Sequence, residues 1–183
     1  MSSYKLALDR MLQEGSLIGT LLFTGEDRLL KAQVALEVVK TLFGPKHIPK
    51  IEKGNHPDLH ILQIESKSGM HSITALRSLI DEMALPPYEA LHKVFIIHDA
   101  ERMLPTGSNA LLKTLEEPPS DTLLILMSSV PQNLLPTVVS RCRLIHFDSS
   151  VEPLLNLQLI EILSEKKDYP SLLKALDELE ISL

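Results

Sequence analysis

Apolar positions along this chain change period several times, and each change marks an element. Tyr4, Leu8, Met11 and Leu12 recur at helical spacing and predict a first helix that stops at Gly15. The block Thr20-Leu21-Leu22-Phe23 is short, apolar and ends just before Gly25, which predicts a buried strand. Residues 27–43 return to helical spacing through Leu29, Leu30, Val34, Leu36, Val38, Val39 and Leu42. Gly44, Pro45 and Pro49 break that pattern, so residues 44–57 read as a polar loop. A second strand is expected over 59–64, then a helix over 73–84 with Ser72 as its N-cap and Pro86-Pro87 as its stop. Residues 94–97 and 123–127 read as strands, with a helix over 108–117 between them that Pro118-Pro119 ends. Residues 144–147 read as a fifth strand. Strands alternating with helices predict an α/β domain, a parallel sheet with helices on both faces. Such sheets gather ligand chemistry at the C-terminal strand ends, which here follow Phe23, Ile97 and Met127.

Composition narrows the function classes. With 183 residues, 44% of them hydrophobic, the chain can bury one real core. A net charge of −6 is not the footprint of an autonomous nucleic-acid binder. Four Phe, three Tyr and no Trp also offer few stacking platforms for bases. The single cysteine, Cys142, excludes an intramolecular disulfide framework and fits a reducing compartment. No apolar run is as long as a membrane span, and the N-terminal MSSYKLALDR lacks the apolar core of a signal peptide. The expectation is a soluble, cytoplasmic protein.

The candidate chemistry begins at Gly25-Glu26-Asp27-Arg28-Leu29-Leu30-Lys31-Ala32, between the first strand and the second helix. A phosphate-binding loop at this place reads G-x-x-x-x-G-K-[ST], its glycines folding backbone N–H groups around phosphates and its hydroxyl holding Mg²⁺. Gly25 and Lys31 are in register with that pattern, but Leu30 replaces the second glycine and Ala32 the hydroxyl residue. Glu26 and Asp27 add negative charge where phosphates would sit. Taken alone, the segment fits an ordinary strand–turn–helix better than a former nucleotide site; either way, productive ATP binding is not expected.

Further along, Ser108-Asn109-Ala110-Leu111-Leu112-Lys113-Thr114-Leu115-Glu116-Glu117-Pro118-Pro119 is followed by Leu126-Met127-Ser128-Ser129 and by Ser140-Arg141-Cys142-Arg143. These runs closely resemble the bacterial DNA polymerase III clamp-loader subunits, in which SNALLKTLEEPP and SRC are shared by the motor and delta prime members. Gly54-Asn55-His56-Pro57-Asp58-Leu59 and the helix after Ser72 resemble the same family, and the likeness covers roughly residues 15–150. It implies an AAA+ type P-loop domain with a five-stranded parallel sheet over residues 1–150. Residues 151–183, which read as two short helices split near Asp168-Tyr169-Pro170, would then begin a lid domain. The family continues into a helical collar, so collar-dependent assembly is not implied for a chain ending at Leu183.

The resemblance also assigns roles. In register with the motors' metal-binding Asp-Glu, this chain has His98-Asp99. An imidazole serves Mg²⁺ poorly, since that ion demands oxygen ligands. Defects at both Leu30/Ala32 and His98/Asp99 fit the non-hydrolysing delta prime subunit better than a gamma/tau-like ATPase, which stays as the alternative. Arg141 matches the arginine that reaches the γ-phosphate held by a neighbouring subunit, an arginine finger acting in trans. Ser128 and Ser129 fall where motors sense the γ-phosphate and are expected to be structural here. The implied partners are the gamma/tau and delta subunits, with the sliding clamp and primer-template DNA reached through the complex. No activity is expected of the isolated chain, although its complex serves a DNA-directed DNA polymerase. Relatives commonly carry a four-cysteine zinc module before the HPD segment. Residues 43–54, FGPKHIPKIEKG, contain no cysteine, so His47, His56 and His60 are expected not to bind zinc, and no cofactor is expected. Lys113 and Glu117, four apart on one helix, are expected to attract.

Overall fold

Continuous apolar strands need cover on both faces, and the sheet of this protein has it. The computed structural model describes residues 3–64 and 68–147. In chain order the elements are α1 (Ser3–Gln13), β1 (Gly19–Thr24), α2 (Arg28–Phe43), α3 (Ile48–Glu52), β2 (Leu59–Leu62) and α4 (Ile73–Met83). They continue with β3 (Lys93–Ile97), α5 (Pro105–Glu116), β4 (Thr122–Ser128), α6 (Pro136–Val139) and β5 (Arg143–His146). The five strands pair in parallel in the order β2-β3-β4-β1-β5. That order sets the C-terminal ends of β3, β4 and β1 side by side, the three ends the sequence marks as chemically important.

Side-chain alternation divides the core into two layers. Leu21 and Phe23 of β1, Ile96 of β3 and Ile125 of β4 face the layer of α1 and α2, which contributes Leu8, Leu36, Val39 and Phe43. Their neighbours Leu22, Phe95, Ile97 and Leu126 face the other layer, against Leu76 and Met83 of α4 and Leu111 and Leu115 of α5. Every residue of β3 and β4 is buried, which is why those strands read as unbroken apolar runs rather than alternating ones.

Several boundaries differ from the expectation, each for a local reason. Residues 44–57 are not wholly a loop: a 3₁₀ turn at Pro45–His47 leads into α3, with a proline in the first turn of each. Proline is tolerated at helix starts because its missing N–H has no partner there anyway. The same logic starts α5 at Pro105, a turn before the predicted Ser108, and starts the unpredicted α6 at Pro136. Strand β2 ends at Leu62 rather than 64, because its partner strand runs out opposite that residue at Ile97. Ser72 does precede α4, with extended backbone, but its side chain makes no capping hydrogen bond. The predicted helices in 151–183 lie outside the described residues.

Candidate functional site

The turn after β1 is closed by the protein's own groups. Gly25 has φ +129°, and a Cβ there would run into the carbonyl oxygen of Phe147 after β5. This glycine therefore serves a close approach of two backbones. Asp27 caps α2, its carboxylate accepting from the Leu30 N–H at 2.9 Å. A backbone donor at the start of the helix is thus already bound to an anion. Lys31 is buried, and its Nζ donates to the carbonyls of Gly25 (2.5 Å) and Ser128 (2.8 Å) and to Ser129 Oγ (3.1 Å). An ammonium has three N–H donors, and all three are used. Burial pulls the Lys31 amine down to about 8, with Glu101 pulling the other way. Leu30 packs on the core and Ala32 is buried, so neither substitution leaves a gap. Ser128 and Ser129 serve as acceptors that seat Lys31, in keeping with a structural role.

The end of β3 is tied to the same turn. The His98 N–H donates to the Leu62 carbonyl (3.0 Å), and the His98 carbonyl accepts from His71 Nε2 at 2.6 Å. Burial pushes the His98 imidazole down to about 4, so it is neutral at physiological pH. Asp99 is the described non-glycine residue with positive φ (+47°), and its carboxylate pairs with Arg28 from the first turn of α2. Asp and Asn tolerate that left-handed conformation better than most residues. That carboxylate is thus neutralised from within.

His98 makes the fold sensitive to acid. Unfolded, its imidazole titrates near about 6.5, whereas the native value lies near 4. Between those values the unfolded chain binds the extra proton, so stability is complete above the unfolded value and is lost as pH falls towards 4. His56 and His60, both depressed chiefly by burial, act with the same sign. Urea midpoints should fall between about pH 7.5 and about pH 4.5, and His98→Gln should flatten that slope. An undiminished slope in the variant would assign the acid lability to other groups.

A second cluster gathers around the HPD segment. Asp58 is fully buried, and its carboxylate accepts backbone N–H groups of Tyr88 (2.5 Å), Glu89 (2.8 Å) and Ala90 (2.8 Å). Burial alone would raise this carboxyl, but the three donors hold it below its ordinary value. The strap it secures displays Tyr88 and Leu91, 83% and 82% exposed. Beside it, His47, His56 and Glu89 bring three ligand-type atoms within 4.8 Å of one another. The donor chemistry does not fit zinc. His56 Nδ1 accepts the Asp58 N–H (3.1 Å), so the neutral ring carries its proton on Nε2, which lies 2.7 Å from His47 Nδ1. A zinc-bound histidine has the reverse wiring, its distal nitrogen donating outward. Glu89 pairs with Lys50 through Oε2 at 2.5 Å, while its Oε1 faces the rings, 3.3 Å from His56 Nε2. His60 lies apart on β2, stacked on Phe95 with ring centroids 4.7 Å apart.

Arg141 follows α6 and keeps away from the closed turn. Its Nη2 donates to Glu116 Oε1 at 2.6 Å, and its Nη1 to the Thr137 carbonyl at 2.9 Å and Ser140 Oγ at 3.4 Å. Lys113 and Glu117 form no ion pair among the described residues; the carboxylate in use at the end of α5 is Glu116. Cys142 is partly buried and donates to the Val138 carbonyl, and burial pushes its thiol up to about 12, leaving it unreactive. The turn residues, His98-Asp99 and the Ser128-Ser129 pair meet in one place, whereas Arg141 stands on another corner. The sequence pattern missed the Asp27 cap, the Arg28–Asp99 pair, Glu101 and the Asp58 strap. Only Asp27, just before a helical pattern, had a recognisable signal.

A five-stranded parallel sheet flanked by helices, with a strand–turn–helix at β1, is the architecture of an AAA+ type α/β domain. Residues 2–150 match the family described as "DNA polymerase III, delta subunit", and the chain belongs to that family. It is 35% identical over 136 residues to DNA polymerase III subunit delta' of Bacillus subtilis, an alignment spanning 69% of this chain and 41% of that protein. It is 32% identical over 127 residues to subunit tau/gamma of Haemophilus influenzae, covering 68% of this chain and 18% of that one. The crystal structure of a gamma subunit-related protein from Thermotoga maritima superposes with a TM-score of 0.65 at 25% identity, covering 95% of this chain and 57% of the other. The chain therefore spans less than half the length of its Bacillus relative.

Proposed function

We propose that this chain acts as a delta prime type, non-hydrolysing subunit of a bacterial clamp loader. It holds no nucleotide of its own and offers Arg141 to ATP held by an adjacent motor subunit. The observation carrying this reading is the seating of Lys31: the cation a phosphate loop would give to ATP has all three donors on protein oxygens. Arg141, by contrast, stands at an accessible corner with two of its five donors unassigned among the described residues. The proposed partners are gamma/tau and delta subunits, with the sliding clamp and primer-template DNA engaged through the assembly. Neither ATP nor zinc is part of the proposal for this chain. A cytoplasmic location is proposed with it; among the described residues no helix is long and apolar enough to cross a membrane.

The test is ATP turnover by the complex reconstituted with motor and delta subunits. Arg141→Ala is expected to slow hydrolysis at the site it serves by at least about tenfold, and Arg141→Lys should not restore it, because Lys lacks the planar fork. Unchanged turnover in both variants would remove the trans-finger reading. The isolated chain should neither hydrolyse ATP nor bind Mg-ATP at micromolar concentrations. Saturable binding in that range would favour the gamma/tau-like ATPase instead.

A further inference from the structure

We infer that Glu116 is a positioning residue for Arg141, setting the guanidinium in the orientation from which it meets the neighbour's phosphates. The inference rests on the trans-finger reading and adds to it a residue with a separate test. Glu116 is the last residue of α5. A carboxylate is poorly placed there, since the unsatisfied carbonyls of a helix C-terminus disfavour negative charge. Glu117 is the C-cap and Pro118-Pro119 come next, so the helix cannot extend and Glu116 is held in its last turn. What the residue gains is Arg141, at 2.6 Å.

The pairing does more than neutralise. Arg141 is anchored through two terminal nitrogens to two different elements: Nη2 to α5 through Glu116, and Nη1 to α6 through the Thr137 carbonyl. Two anchors on separate atoms of a planar group fix its plane as well as its place. Nε–H and one Nη2–H carry no assigned partner among the described residues, which leaves donors for an incoming phosphoryl oxygen. A finger fixed before its partner arrives loses less rotamer freedom when it engages. The pair is too exposed to matter much for folding, at 33% and 52% for the two side chains. Loss of Glu116 should therefore be felt in turnover and not in stability.

The experiment measures kcat and KM for ATP in the complex reconstituted with motor and delta subunits. Glu116→Gln is expected to lower kcat about three- to tenfold with KM unchanged. The double variant Glu116→Gln/Arg141→Ala should be no slower than Arg141→Ala alone, because both changes remove one device. Glu117→Gln, which deletes the same charge one residue along, should leave kcat as it was, and the thermal midpoint of the isolated Glu116→Gln chain should match the parent. A full kcat in Glu116→Gln beside a slow Arg141→Ala would overturn the positioning role while leaving the finger intact. A raised kcat would show restraint instead of positioning, and effects that multiply in the double variant would show independent action; either result overturns the inference. If Arg141→Ala is itself without effect, it is the underlying reading that fails.

Discussion

Replacing Asp58 with Ala is expected to lower the stability of this domain by about 3–5 kcal/mol, the largest effect of any single change considered. The carboxylate is fully buried and accepts three successive backbone N–H groups from Tyr88, Glu89 and Ala90. Each buried donor left without an acceptor costs about 1–3 kcal/mol, partly relieved where the loosened strap reaches water. Asp58→Asn should be intermediate, since Oδ2 serves both Glu89 and Ala90, and an amide nitrogen there cannot accept. Urea titration gives the energies, and amide exchange at residues 88–90 locates them. An Ala variant within about 0.5 kcal/mol of the parent would mean that the strap does not depend on this carboxylate.

Lys31→Met should follow at about 2–4 kcal/mol. Methionine fills the volume but strands the Gly25 and Ser128 carbonyls and Ser129 Oγ around it. The pH dependence separates this cause from simple repacking. The Lys31 amine has a native value of about 8 against 10.5 for the free group, so across that interval the unfolded chain binds more protons. Parent stability should gain a rising contribution from Lys31 as pH climbs from 8 towards 10.5, and the Met variant should lack it. Parallel stability curves for parent and variant over that range would discount the charged, buried lysine.

The sheet was legible in the sequence because buried parallel strands leave apolar runs that need no tertiary information to notice. All five were found near their true bounds, and so were the helices with clear amphipathic spacing. What escaped were starts made by proline, at Pro45, Pro105 and Pro136, where a residue usually taken as punctuation opened an element. The gathering of the candidate residues at one sheet end was legible only by register. Gly25, Lys31, His98 and Asp99 were marked because they stand where a nucleotide loop and its metal strand would be. Their actual bonds could not be read. Lys31 finds Ser128 across the sheet and Asp99 finds Arg28 from another element, and spacing along a chain carries no record of such meetings. The same limit made Lys113–Glu117 a reasonable local expectation, while the contact formed joins Glu116 to a residue on α6's far side in the chain.

The sheet order has a consequence for how the chain leaves the ribosome. Strand β1 is flanked by β4 and β5, with Leu21 beside Ile125 on one side and Arg143 on the other. An early-synthesised apolar strand thus waits for the last two described strands before either edge is covered. Pairing this remote in sequence is slow to form, and transiently uncovered strand edges invite association with other chains. The acidic turn after β1, Glu26-Asp27, stands next to that waiting edge as a flanking charge of the kind that discourages such association. Nascent chains released before β5 emerges should aggregate, and those carrying it should close the sheet.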